Sequence, residues 1–429
     1  MIAALIAIFV IAYAAIALEQ PLRLNKSAAA LVGAGLMWII YAIAVGNADA
    51  VNAQLNRSLV DTAQLAFFLI GVMSVVEVVD AHDGFAVMTS RLRSRTLATL
   101  TIFITMVTFA LSAVLANMTV AIVMVSLVRR LVREQEDRLM LAGMIVIASN
   151  AGGAWSPIGD VTTTMLWIGG QITSGAIARG LLLPSLVNVL VPLAFVAWRQ
   201  RGKPIVQPAP AGDAAKELGG TTPFERNVMF ALGIVALLSV PLFKTLTGLP
   251  PFLGTLFALG VVWAIGDQLH RDKGFEDRQR ITIVEALTRI DLAAIVFFIG
   301  ILLAVATLEH AGVLAILARW LSTAVGRLDV IALVFGLVSA VVDNVPMVAA
   351  AMGMYPLSAH PPDSFLWEFM AYTTGTGGSI LIIGSASGVA AMSAEKIDFI
   401  WYLRRFALLA LAGYLAGAAV YIVQHELLV

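Results

Sequence analysis

Apolar residues run through this chain in long blocks rather than in alternation. Residues 2–18, 28–45, 97–115, 227–243 and 253–269 are each mainly apolar, and each has about the 17–25 residues a helix needs to cross a hydrocarbon core. Runs at 59–79, 176–198 and 290–308 have the same character. The period-two pattern of a membrane barrel is absent throughout. Lipid satisfies no backbone polar group, so such runs predict helices. The expected fold is an all-α polytopic membrane protein.

Composition sharpens that reading. Of 429 residues, 60% are hydrophobic and 13% are charged, against about 25% charged in ordinary soluble domains. There is no cysteine, which excludes disulfides and thiolate metal sites. The first segment lacks a basic leader and a small-residue cleavage site, so it is expected to be a retained span. The formal net charge is zero, and no nucleic-acid partner is expected.

The placement of charge gives orientation. Threading the spans in order leaves only Arg57, Arg179, Lys244, Arg319 and Arg327, of 27 Lys and Arg, on one side. The positive-inside rule makes the richer side cytoplasmic and the N-terminus external, in the cell inner (plasma) membrane. Arginines flank both ends of 96–128, and its second arm is short for a crossing. These facts predict a re-entrant helical hairpin with its tip at Ala116-Asn117-Met118.

The chain also repeats itself. Gly152, Gly153 and Gly159 recur at the same spacing as Gly377, Gly378 and Gly384, and Asn117 finds a counterpart in Asn344. A Phe-Phe-Leu-Ile-Gly run from Phe67 resembles the Phe-Phe-Ile-Gly run from Phe297. The topology gives the two copies opposite orientation, and inverted repeats with broken helices mark alternating-access transporters. The expected organisation is scaffold helices in 1–58, a first inverted repeat in 59–198, a cytoplasmic linker in 199–222, further scaffold helices in 223–288 and a second repeat in 289–429. Each repeat is expected to hold a re-entrant hairpin and a broken transmembrane helix.

Chemistry concentrates at the breaks. Residues 149–165 carry three glycines and a proline in mid-span, which disfavour continuous helix. Asp160 lies there with Asn150, Ser156, Thr162 and Thr163. Oxygen-rich side chains beside freed carbonyls suit a hard cation, and an ionisable residue inside a span points to function. An Asp can equally cap the second half-helix. A second centre is Asp343-Asn344, at the tip of the other hairpin, facing a break at 373–379. Glu77, Asp80 and Asp291 lie near span ends and read mainly as solvated. His82 and His310, at corresponding places in the two copies, are candidates for pH sensing. No Lys or Arg falls at a tip or a break, so the site reads as cationic.

At these residues the sequence is similar to the NhaD-type sodium/proton antiporters. The run from Asn150 to Trp167 resembles the family signature closely, and the run Leu337–Pro346 resembles its second hairpin. The resemblance implies a homodimer in which a scaffold domain holds a transport domain that moves as an elevator. It also implies an ion pathway through Asp160, Thr162, Thr163, Asn150, Asn117, Ser112, Ser339, Asp343 and Asn344. No resident cofactor is implied; sodium or lithium ions and protons are the cargo. One departure stands out. The family's first tip reads Asp-Asn-x-Thr, and here it is Ala116-Asn117-Met118-Thr119.

The expected activity is secondary exchange of sodium for protons, with Asp160 and Asp343 binding either the ion or protons. The first rival is an anion, dicarboxylate or arsenite carrier of the same superfamily, against which two site acids weigh. The second is an intramembrane hydrolase, for which the chain lacks a His-Glu-x-x-His motif.

Overall fold

A computed structural model describes residues 1–17, 22–82, 84, 96–205, 222–271 and 283–428. Every regular element in these residues is helical. Among the described residues seven helices are long and apolar enough to cross a membrane, and the chain is a polytopic membrane protein. Their outward faces carry large apolar side chains, such as Val235, Leu238, Leu242 and Leu246 on one helix. Apolar exposure on that scale suits lipid rather than water.

The chain opens with α1 (Ile2–Ala17), α2 (Lys26–Val45) and α3 (Ala48–Ala81). Hydropathy places the third span at 59–79, but α3 begins at Ala48, where Asn47 caps it by accepting from Ala50 N. The boundary drawn at 58/59 therefore falls inside one continuous helix. At 34 residues it is about 51 Å long, well beyond the roughly 30 Å hydrocarbon core. Next come a helical hairpin, α4 (Leu97–Ser112) and α5 (Asn117–Leu131), then an interrupted helix, α6 (Gln135–Ala154) and α7 (Val161–Ile168), then α8 (Ser174–Arg199).

The second half follows the same order. Helices α9 (Pro223–Thr247) and α10 (Pro251–Leu269) form an antiparallel pair. The short α11 (Ile283–Arg289) leads to α12 (Leu292–His310), and a peripheral helix α13 (Val313–Ala324) follows. A second hairpin is built from α14 (Leu328–Ser339) and α15 (Asn344–Met354). A second interrupted helix is built from α16 (Phe365–Gly377) and α17 (Ala386–Glu395), after which come α18 (Phe399–Arg405) and α19 (Ala407–Leu428). The linker expected at 199–222 lies mostly outside the described residues, as do Arg91, Arg93, Arg95 and the loop 272–282. At its edges, α8 ends at Arg199 and Thr222 closes a capping box with Glu225 at the start of α9.

Packing crosses between the halves. α2 lies on α12, and α10 lies on α3. α5 packs on α17, α15 packs on α7, and α8 packs along α19. Polar contacts mark the two ends of the α4–α8 and α14–α19 bundle. At a basic end, Leu97 N donates to Lys203 O at 2.9 Å, and Lys203 pairs with Asp137 at 3.3 Å. There Arg129 and Arg138 both reach the buried Glu395. Both arms of the first hairpin thus end on the same face. At the far end, Thr173 N and Oγ1 donate to Asp363 at 2.6 and 2.8 Å.

Candidate functional site

Glycine lets the hairpins meet the interrupted helices backbone to backbone. A Cβ on Gly152 would stand 2.3 Å from Phe109 O, and one on Gly377 would stand 2.1 Å from Gly336 O. A Cβ on Gly159 would meet Ser112 O at 2.1 Å, and one on Gly384 would meet Ala340 O at 2.4 Å. The recurring glycines therefore do the same work twice. Gly152 and Gly153 are not the breakers the sequence suggests. They lie inside α6, and the interruption is confined to 155–160. Their lack of a side chain serves close packing.

Hydroxyls follow the same pattern. Ser112 Oγ donates to Ser149 O at 2.5 Å, and Ser339 Oγ donates to Thr374 O at 3.3 Å and to Gly336 O at 2.8 Å. Both candidate serines thus hold a hairpin arm against an interrupted helix. The N-termini of four half-helices converge between these contacts: α5, α7, α15 and α17. Each end carries N–H groups that have no partner within the helix, and a partial positive charge.

On one side the meeting is closed by an amide. Asn150 Oδ1 accepts from Asn117 Nδ2 at 3.1 Å and from Ser387 Oγ at 2.7 Å. Asn150 Nδ2 donates to Ser379 Oγ and Ser385 Oγ, each at 2.9 Å. All of these residues are at least nine-tenths buried. Ser385 also caps α17, accepting from Gly388 N. Ser379 ends the break read at 373–379, but Ser385 and Ser387 are not among the residues singled out from the sequence. The glycine spacing, carried from Gly159 to Gly384, maps Asp160 onto Ser385 and could have found it.

On the other side the groups are acidic and open. Asp160 Oδ1 caps α7 by accepting from Thr162 N at 3.1 Å. Its Oδ2 is buried and has no hydrogen-bond partner, and neither has the buried Thr162 Oγ1. Gly375 stands where the other side has Asn150, and a Cβ on it would sit 3.5 Å from Asp160 Oδ2. Asp343 caps α15 through Val345 N at 3.4 Å and lies within electrostatic reach of Asp160. Asn344 is 5% exposed on the first turn of α15. A buried carboxylate oxygen without a donor is costly. A cation or a proton at that oxygen removes the cost.

The remaining candidates sit at the margin. Thr163 Oγ1 donates to Asp160 O at 2.9 Å and to Gly153 O at 3.4 Å, which braces the break. Ser156 Oγ accepts from Ile158 N within the connecting turn. Glu77 and Asp80 lie in the last turns of α3, and Asp291 caps α12. His82 is buried against His270, with the rings stacked at 4.8 Å, while His310 bonds Ser58 at 3.1 Å. Thr163 therefore contacts Asp160 through the backbone oxygen of Asp160, whereas Glu77, Asp80, His82, Asp291 and His310 lie at the ends of α3 and α12. The described residues hold no group of three or more His, Cys, Asp or Glu arranged as a metal cage.

Comparison with known proteins identifies the family. A family model described as "CitMHS: Citrate transporter" matches residues 13–377. A protein named sodium/proton antiporter 1 from Arabidopsis thaliana is 44% identical over 420 residues, covering 98% of this chain and 72% of its own length. Sodium/proton antiporter 2 of the same plant is 43% identical, over 98% of this chain and 99% of its own. The Na(+)/H(+) antiporter NhaD of Vibrio cholerae is 30% identical over 98% of this chain and 90% of its own. The chain belongs to the CitMHS transporter family, among its NhaD-type antiporters.

Proposed function

We propose that this protein exchanges sodium, and by the same chemistry lithium, for protons across the membrane. The observation that carries the reading is the unpartnered Asp160 Oδ2 beside Gly375, which brings no side chain to it. Asp160, Thr162 and Asn344 supply oxygens for a hard monovalent cation, and Asp343 adds charge. The carboxylates bind the ion or a proton, not both in full, so each displaces the other. Driving force comes from the two gradients, and direction follows them.

The family description names citrate, and that is the second reading. Four half-helix N-termini would on their own favour an anion. Asp160 and Asp343 stand at two of those ends, with no Lys or Arg at any tip or break. Two acids oppose a citrate carboxylate and favour a cation.

Matched glycine and serine contacts support two inverted repeats, each with a re-entrant hairpin and a broken helix. In this reading α1–α3 and α9–α12 form a scaffold, and α4–α8 with α14–α19 form the moving transport domain of a homodimer. The basic end is cytoplasmic, which puts the N-terminus outside the plasma membrane.

The test is transport by purified protein in proteoliposomes, with sodium, lithium, potassium and citrate offered at several pH values. Sodium- or lithium-driven proton movement without citrate uptake is the expected result. Citrate uptake without cation-driven proton movement would overturn the reading.

A further inference from the structure

A cavity of about 450 Å³ lies away from the site just described, between α3 and α12 on one side and α7 and α15 on the other. Its walls include Asp61, Thr62 and Gln64 on α3, Glu309 at the end of α12, and Gln171 just beyond α7. Polar and apolar groups line it together, and no Lys or Arg is among them. Arg57 lines the adjoining groove beside Asp61, and His310 is held by Ser58 at 3.1 Å. Glu309 lies along Gly353, where a Cβ would come 3.2 Å from its Oε2. The two acids are exposed, and a pair of exposed acids alone would say little.

Two further features give the space a direction and a purpose. Thr62 is only 5% exposed yet lines the cavity, and its hydroxyl has no hydrogen-bond partner among the described residues. The floor is made by Met165 on α7 and Ala349 on α15, the helices capped by Asp160 and Asp343. At about 1.5 Å of rise per residue, Met165 stands roughly 7 Å along the helix from Asp160. The cavity thus leads from the far end of the molecule toward both acids.

We propose that this cavity is a second cation site, a vestibule that holds a hydrated monovalent cation between bulk solution and Asp160. Asp61 and Glu309 supply charge, and Thr62 and Gln64 supply oxygens to the hydration shell. The volume suffices, since a water's share of liquid is about 30 Å³. A cleft of one sign focuses the field and raises local cation concentration, and salt screens that effect. The vestibule therefore governs capture and release at one face, not turnover. The inference rests on the cation-exchange reading above.

The test is a sided assay in oriented vesicles, with sodium offered at either face and proton movement followed. In Asp61→Asn/Glu309→Gln, the sodium KM at the face where the cavity opens should rise about three- to ten-fold at low ionic strength. The rise should shrink in about 0.3 M choline chloride as screening grows. The KM at the other face, and kcat, should not change. Thr62→Val should raise the same KM by less and without the salt dependence, and Asp61→Glu/Glu309→Asp should restore wild-type behaviour. An unchanged KM at both faces in the neutral double variant, or an equal rise at both, would overturn the vestibule. Absence of cation-driven exchange in the wild type would instead overturn the antiport reading.

Discussion

The two sides of the site share a backbone plan and differ in what fills it. The first hairpin places Ala116 and Asn117 where the second places Asp343 and Asn344. The first interrupted helix supplies Asn150 and Asp160 where the second supplies Gly375 and Ser385. On the neutral side, every hydrogen-bonding position of the Asn150 amide is used. On the acidic side, Gly375 brings no side chain to Asp160 Oδ2, which is left without a partner. Backbone contacts decide where half-helix ends meet. A few side-chain exchanges decide whether the meeting is sealed by hydrogen bonds or open to an ion.

The largest effect should come from discharging the open side. Asp160→Asn and Asp343→Asn are each expected to reduce exchange by about a hundredfold or more, since each removes a carboxylate that the proposed mechanism needs to hold the cation or the proton. Sodium-dependent proton movement by the folded, purified variants is the readout. Near wild-type rates in either would erase the functional difference between the sides.

Glycine substitutions test the shared plan. Gly152→Ala and Gly377→Ala drive a methyl into Phe109 O and Gly336 O respectively. Each should destabilise by about 1–3 kcal/mol, as overpacking does. Thermal unfolding of both should show losses of similar size. A loss in one alone would mean that the two contacts are not equivalent.

A third comparison separates sealing from binding. Asn150→Ala strips partners from Asn117, Ser379, Ser385 and Ser387, and should lower stability by about 1–3 kcal/mol. Asn344→Ala should change stability little and raise the sodium KM. The reverse pattern would exchange the roles assigned to the two sides.

The smallest expected effect comes from adding an acid to the neutral side. Ala116→Asp places a third carboxyl near Asp160 and Asp343, and interacting acids titrate as a cluster. Its activity–pH profile should move by about one pH unit, equivalent to roughly 1.4 kcal/mol, with a changed response to imposed voltage. If neither moves, position 116 lies outside the site.

Much of this was legible from residue pattern alone. The first tip, read at 116–118, overlaps the turn at 113–116 only at Ala116, and it was legible at all because arginines mark the outer ends of both arms. Asp160 and Asp343 were legible as lone acids in apolar surroundings. The start of α3 was not, because Asn52, Gln54, Asn56 and Arg57 lower its hydropathy while leaving helix intact. Amphipathic helices such as α13 were hidden for a related reason: one apolar face is too little for a hydropathy run. Ser379 falls in the break read at 373–379 without a role, and Ser385 and Ser387 were missed because a serine among glycines and alanines looks like spacing. Only the fold brings them to Asn150, more than two hundred residues earlier.

That crossed packing sets an order of events during synthesis. When the ribosome has passed residue 205, α5 and α7 exist, but α17 and α15, which will cover them, do not. Asn150 then has only Asn117 among its final side-chain partners. The unfinished half must wait in the membrane with its polar centre unsealed. A chain halted there should accordingly be cleaved by added protease at sites that the finished protein resists. Neither half can complete the polar centre around Asn150 for itself. Translation through α17 is therefore what seals the neutral side, because Ser379, Ser385 and Ser387 reach Asn150 only then.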